Sequence, residues 1–405
     1  MTDVAGDEIA EFYRLHPYPP AVESLDGEVD RAGDEDRRRL EHARMWPSLP
    51  YREDHSILIA GCGTSQAVRY AMRYPKSTVV GIDVSTTSID ATVRLAVHHE
   101  VTNIEVHQLR IEDVGSLART FDHVVCTGVL HHLADPAAAL RELRNVVTPS
   151  GAMQLMVYAT YGRTGVYMMQ EYCRRLGLTT AGGDLTDLIA TLREMPTGHP
   201  MSHVLRETAD FRDDDAIADA LFNPRDRSYT VPELLELVEA SGLRLGRWVR
   251  QAPYRPHCGA MSETPHAARI ASMAEPDQFA AMELFRGTMP RHSVVLHRDD
   301  SPLPVSPVRW DSDAWRSFVP IRPPTVVMVE ERLPPSVAGV LINQAHVDRD
   351  LVFFLDSDER PVYESIDGET AIGDIVGATP GLFERLWWHD LVMVDTSRHG
   401  AGPLE

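Results

Sequence analysis

Three groups of residues in this 405-residue sequence combine types and spacings that suit chemistry. The first is Gly61-Cys62-Gly63-Thr64. Two glycines one residue apart let the backbone turn sharply and let a ligand approach where a Cβ would collide. A helical pattern from Ser65 to Arg73 follows at once. Amides at a helix start favour a polar or anionic ligand group. The second is Asp83, 22 residues beyond Gly61. A nucleoside-binding βαβ unit places there the carboxylate that accepts both ribose hydroxyl protons. The third is His131-His132, in the loop after an apolar run. Imidazole ionises near neutrality and can take a proton from an oxygen or nitrogen.

These residues need a scaffold that brings strand ends together. Ser56 to Ala60 is apolar, short and rich in Ile, which reads as a buried parallel strand. The βα rhythm then predicts strands near 56–60, 78–82, 103–107, 122–127 and 152–158, and helices near 65–73, 86–99 and 136–146. Such alternation implies a parallel sheet with helices on both faces, and ligands beyond the carboxyl ends of its strands. Further helices are expected over 166–176, 185–192 and 213–222, with Tyr167, Met168, Tyr172 and Cys173 facing inward. Thr230 and Glu233 form a capping box for a helix over 231–240. Strands over 243–250 and 293–297 close the pattern, with a helix near 275–285 between them.

Ile57-Leu58-Ile59-Ala60-Gly61-Cys62-Gly63-Thr64, Gly81-Ile82-Asp83 and Phe121-Asp122-His123-Val124-Val125-Cys126-Thr127-Gly128-Val129-Leu130-His131-His132-Leu133 together resemble a class I S-adenosylmethionine-dependent methyltransferase. Pro149-Ser150-Gly151 resembles that family's turn into its fifth strand. The resemblance is strong over about 50–160 and looser to about 298. It implies a Rossmann-like seven-stranded α/β sheet with helical insertions. It implies S-adenosylmethionine as cofactor and S-adenosylhomocysteine as product, held by Gly61, Cys62, Gly63, Thr64, Asp83, Val84, Ile111, Glu112, Thr127 and Gly128. Ile111 would lie against the adenine and Glu112 near its exocyclic amine. His131, His132 and Tyr158 would form the catalytic end. The sequence departs from the family at Ile59, usually acidic, and at Ser65, usually a third glycine, so the methionine moiety must lean on other groups.

The leader is unusual. A short helix over 9–15 runs into His16-Pro17-Tyr18-Pro19-Pro20, where the prolines favour a rigid, extended path. Such a segment can lie across the cofactor as a lid, with Tyr13 and Tyr18 supplying hydrogen bonds. At the other end, 301–335 is proline-rich and reads as a linker. Beyond it, 335–347 reads as helix, 351–355 as strand, 363–375 as helix-turn-helix and 382–388 as helix, with a closing strand over 391–394. This α+β pattern loosely resembles a PqqD-like winged-helix module. The expected division is a lid segment 1–50, a methyltransferase domain 51–298 with insertions over 160–228 and 253–290, a linker 299–335, and a winged-helix-like accessory domain 336–405.

Composition narrows the function. The formal charge is −21, and residues 331–405 hold 14 acidic and five basic side chains. Nucleic acid selects a basic face, so neither part suits DNA or RNA. The four cysteines show no C-x-x-C pair and no ligand clustering, so no metal site is expected and the thiols suit the cytoplasm. No apolar run approaches the roughly 18 residues of a membrane span. Ser65-Gln66 does not continue the glycine pattern of nicotinamide oxidoreductases. The expected activity is direct in-line methyl transfer to an oxygen or nitrogen of a small metabolite. The alternatives are a peptide or protein acceptor docked by the C-terminal module, or a non-catalytic S-adenosylmethionine-binding protein. The module also suits a homodimer.

Overall fold

The computed structural model of the chain describes residues 4–27, 35–207 and 214–399. Seven strands form one mixed sheet: β1 Ser56–Ala60, β2 Thr78–Asp83, β3 Ile104–Gln108, β4 Phe121–Thr127, β5 Val147–Tyr158, β6 Leu243–Trp248 and β7 Arg291–Arg298. Their order is β3-β2-β1-β4-β5-β7-β6. The first five pair in parallel, with Leu58 opposite Val80 on one side and Val124 on the other. The Rossmann-like fold implied by the motifs is therefore present. β1 is buried from Ile57 onward because it is flanked on both edges and covered on both faces. Such strands are apolar throughout rather than alternating.

Local sequence sets the helices of the parallel half. Ser85 caps the helix Thr86–His98 by accepting from the Ser88 N–H. Asp135 caps Pro136–Val146 by accepting from the Ala138 N–H, with proline at the first turn. The capping box of Thr230 and Glu233 forms as expected at the helix Val231–Ala240.

Contacts divide the chain into two units. One comprises Met1–Gly33, Asp54–Arg244 and Gly287–Ser293. Within it, the insertion builds its own core from helices Thr164–Leu176, Asp184–Arg193, Pro200–Glu207 and Asp214–Phe222, packing Val166, Met169, Cys173, Leu188, Met201 and Ile217. Cys173 faces inward as expected, whereas Met168 and Tyr172 are exposed. The helical period explains this: positions 166, 169 and 173 share one face, and 168 and 172 turn away.

The second unit comprises Asp34–Glu53, Leu245–Arg286 and Val294–Glu405. Its C-terminal part holds β8 Val319–Ile321 paired with β12 Met393–Asp395, and an antiparallel sheet of β9 Val326–Val329, β10 Gly339–Asn343 and β11 Val352–Leu355. Three sequence expectations change here. The stretch 299–335 carries β8 and β9, and buries Trp315 and Phe318 in the local core. Apolar side chains between the prolines have a core to fill. The helix expected over 335–347 is instead β10, whose Val340, Leu341 and Ile342 suit a strand flanked on both edges. Over 363–375, one helix ends at Glu364 and a single 3₁₀ turn spans Ile372–Asp374. The leader segment 1–50 is also split, because 34–53 packs with the second unit through Leu40 and Ala43 on Ile321 and Met393.

Candidate functional site

The turn after β1 gathers the first group. Gly61 and Gly63 adopt φ of +74° and +54°, the left-handed region that favours glycine. A Cβ on Gly61 would lie 2.2 Å from Val129 Cγ2, so the loops after β1 and β4 meet there without a side chain between them. The Gly61 and Cys62 N–H groups both donate to the Ile82 carbonyl at 2.9 Å. Asp83, at the end of β2, accepts from the Gly63 N–H and the Ser85 N–H, each at 2.9 Å. Burial pushes its carboxyl pKa up, and the backbone donors pull against that shift. Val84 follows, half-buried.

Other predicted residues divide by orientation. Cys62 is buried against Gly81, and burial pushes its thiol pKa up. Only its backbone faces the turn, so the side chain is a core group. Ile111 is buried and Glu112 half-buried at the start of the 3₁₀ segment Ile111–Leu117, with Arg110 Nε 3.9 Å from Glu112. Thr127 ends β4, and its hydroxyl accepts from Gln66 Nε2 at 2.8 Å. Gly128 follows at φ +81°.

The leader reaches this turn. Thr64 donates its hydroxyl to the Pro19 carbonyl at 2.9 Å. The Tyr18 carbonyl would lie 3.3 Å from a Cβ on Gly63. Upstream, the Tyr13 hydroxyl donates to Asp219 Oδ1 at 2.8 Å, and Asn223 Nδ2 donates to both, at 3.0 and 3.1 Å. Ser85 donates to the Tyr13 carbonyl at 3.3 Å. Tyr13 and Tyr18 thus stand at opposite ends of a segment spanning the loops after β1 and β2.

After β4, His131 and His132 are buried in the turn Leu130–His132. The His131 ring lies 3.7 Å from Tyr158 and 4.3 Å from His132, centroid to centroid. Neither of its nitrogens has a hydrogen-bond partner among the described residues. Burial first, then the neighbouring His132 and Arg163, hold its pKa well below the ordinary histidine value. His132 differs. Its Nδ1 lies 2.6 Å from the Arg225 carbonyl, which can only accept, so Nδ1 carries the proton. In the neutral ring Nε2 then presents a lone pair, buried and without a partner among the described residues. The strap 225–229 secures the cluster. Arg227 N–H donates to the His131 carbonyl at 3.1 Å, and Tyr229 N–H to the Tyr158 carbonyl at 2.9 Å. Arg163 covers the Tyr158 ring at 3.5 Å and pairs with Asp226 at 3.1 Å, an arrangement worth most when desolvated.

Gln66, Asp219, Asn223, Arg225 and Asp226 escaped the sequence reading. Only Gln66, beside the glycine turn, carried a local signal. The side chain of His203, in the insertion, lies outside the described residues.

Residues 58–155 match the family described as Methyltransferase domain. The protein syc1184_c of Synechococcus sp. is 28% identical over 312 residues, 75% of this chain and 74% of that protein. The ubiquinone biosynthesis O-methyltransferase of Neisseria meningitidis serogroup C is 28% identical over 37% of this chain and 56% of the enzyme. The tRNA U34 carboxymethyltransferase of Methylococcus capsulatus is 29% identical over 39% and 48%. The chain thus spans about half the length of these two enzymes. The structure of PKMT2 from Rickettsia typhi superposes with a TM-score of 0.66 at 16% identity, covering 94% of this chain and 78% of that one, and it has also been solved with AdoHcy.

Residues 58–155 form a methyltransferase domain, and the sheet around them has the Rossmann-like fold of S-adenosylmethionine-dependent enzymes. Asp83 fits the ribose of S-adenosylmethionine, because each of its oxygens keeps a lone pair beyond its backbone donor, while the room beside Gly61 and Gly63 is taken by Val129 and by Tyr18 and Pro19. No helix among the described residues of the methyltransferase is long and apolar enough to cross a membrane. One group among them has metal-ligand spacing, contrary to expectation: Asp26, His98 and His99 each bring a ligand atom within 4.8 Å of the others. His99 Nε2 already accepts from the Leu25 N–H at 2.8 Å, which leaves the proton on Nδ1.

Proposed function

We propose that this methyltransferase methylates an oxygen or nitrogen of a small metabolite at the cluster of His131, His132 and Tyr158, with Tyr13 to Tyr18 acting as a lid. The observation that carries this reading is the His132 Nε2 lone pair, buried without a partner on the same loop as Val129, which packs on Gly61. Bound S-adenosylmethionine supplies an electrophilic methyl group on a sulfonium. Gly61, Gly63, Thr64 and Asp83 hold the nucleoside end, Ile111 and Glu112 flank the base, and Val84, Thr127 and Gly128 complete the wall.

His132 is the proton acceptor because its tautomer is fixed by the Arg225 carbonyl. His131, neutral and stacked on Tyr158, is a packing platform. Positioning and exclusion of water then supply much of the rate. Burial of His131, His132, Arg163 and Asp219, none more than 6% exposed, favours a small group over a broad polymer surface. Relatives named for ubiquinone and for tRNA chemistry leave the acceptor class open, so the test must read it directly. Purified full-length protein is incubated with trideuteriomethyl-labelled S-adenosylmethionine and a cell extract, then separated by size. Label in the small-molecule fraction is expected. Label confined to protein or RNA sinks the reading.

A further inference from the structure

We infer that the acceptor atom is an amine nitrogen, recognised as an alkylammonium by Asp219 beside Tyr13. The inference rests on the acceptor cluster proposed above and narrows its chemistry.

The charge balance of the cluster carries the argument. Arg163 and Asp226 are both buried and neutralise one another at 3.1 Å, with Gln170 Nε2 also donating to Asp226 at 2.9 Å. Asp219 is only 4% exposed. Its partners are the Tyr13 hydroxyl and the Asn223 amide, both neutral. No basic side chain among the described residues lies within ion-pairing distance of it. A buried carboxylate with neutral partners alone is costly, and a cation from outside the chain would relieve that cost.

The surroundings suit such a cation. Tyr13 touches Asp219 directly, and its ring lies 6.1 Å from His132. An aromatic ring beside a carboxylate attracts an ammonium group and gives a neutral hydroxyl no comparable gain. His132 Nε2 lies in the same cluster as an open proton acceptor.

The step balances. The ammonium gives one N–H proton to His132 Nε2, which frees the nitrogen lone pair. That pair forms the new bond to the methyl carbon as the carbon–sulfur bond breaks and its electrons stay on sulfur. The methylated nitrogen carries the positive charge lost by the sulfonium, and the imidazolium returns its proton to water.

The test separates atom type from acceptor size. Full-length protein saturated with S-adenosylhomocysteine is titrated calorimetrically with n-hexylamine and with n-hexanol. Hexylamine should bind and hexanol should not. Asp219→Asn should weaken hexylamine roughly tenfold or more, the scale of a lost charge-assisted hydrogen bond. Affinity for S-adenosylhomocysteine should stay unchanged, which also reports that the variant is folded. Equal binding of the two probes, absence of hexylamine binding, or an unaffected variant overturns the inference. In the labelling experiment, trideuteriomethyl on an oxygen overturns it while sparing the small-metabolite reading. Label on amines of proteins supports it while the small-metabolite reading falls.

Discussion

At the scale of single residues, two histidines adjacent in sequence have opposite assignments because one backbone carbonyl reaches only one of them. Arg225 fixes the His132 tautomer, whereas His131 is enclosed without a polar partner. His132→Asn should therefore lower turnover on the acceptor by about two orders of magnitude or more, the scale of lost general-base catalysis, with cofactor affinity retained by calorimetry. Unchanged turnover would remove His132 from the mechanism. His131 has a different signature. Its folded pKa is depressed, so the unfolded chain takes up that proton first, near pH 6.5. Stability is full above that pH and is lost as pH falls through the folded value. Urea unfolding at pH about 7.5 and about 5.5 should show this loss in the native chain, and His131→Asn should reduce the slope by about one proton. An unaltered slope would mean that His131 is not held neutral. Asp83 sits at the nucleoside end, and Asp83→Ala should weaken S-adenosylmethionine binding by roughly 1–3 kcal/mol. Equal calorimetric affinity in the variant would refute that placement.

At the scale of elements, the leader is tied at both ends. Tyr13 holds Asp219 at one end and the Pro19 carbonyl receives Thr64 at the other. Neither end anchors a strand of the sheet. Deleting residues 1–20 should therefore abolish turnover while leaving the far-ultraviolet circular dichroism of the remaining chain unchanged. Full activity in the deleted form would make the leader a passive arm.

At the scale of the whole molecule, the second unit depends on carboxylates from its last hundred or so residues. Asp390 accepts from Arg247 at 3.2 Å and from the Ala252 N–H at 2.9 Å, with His346 Nε2 3.2 Å away. Burial pushes the Arg247 pKa down to about 10, against the pull of Asp390. Arg286, almost fully buried, reaches Asp348 at 3.3 Å and Asp350 at 3.1 Å. A chain ending at Asp299 keeps both arginines and loses all three carboxylates. Leaving a buried charge without its partner costs about 3–5 kcal/mol per site. The truncated chain should be insoluble or molten, read by light scattering and near-ultraviolet circular dichroism. A soluble, cooperatively folding product would show that these pairs do not hold the unit.

What the sequence alone determined is what lies within one βαβ unit. The Ile-rich run before Gly61, the distance to Asp83, the capping box at Thr230, and the alternation of strand and helix are local patterns, and local geometry follows from them. The second unit was harder to read, because prolines mark breaks without saying whether Trp315 and Phe318 have a core to enter. Pairing with β9 and β11 turned Val340-Leu341-Ile342 into a strand, a choice that short apolar runs leave open. The acceptor cluster was hardest. Tyr13 and Asp219 stand 206 residues apart, and His132 and the Arg225 carbonyl 93. No periodicity links such positions, so the tautomer of His132 and the uncompensated charge of Asp219 exist only once the insertion has folded back over the strand ends.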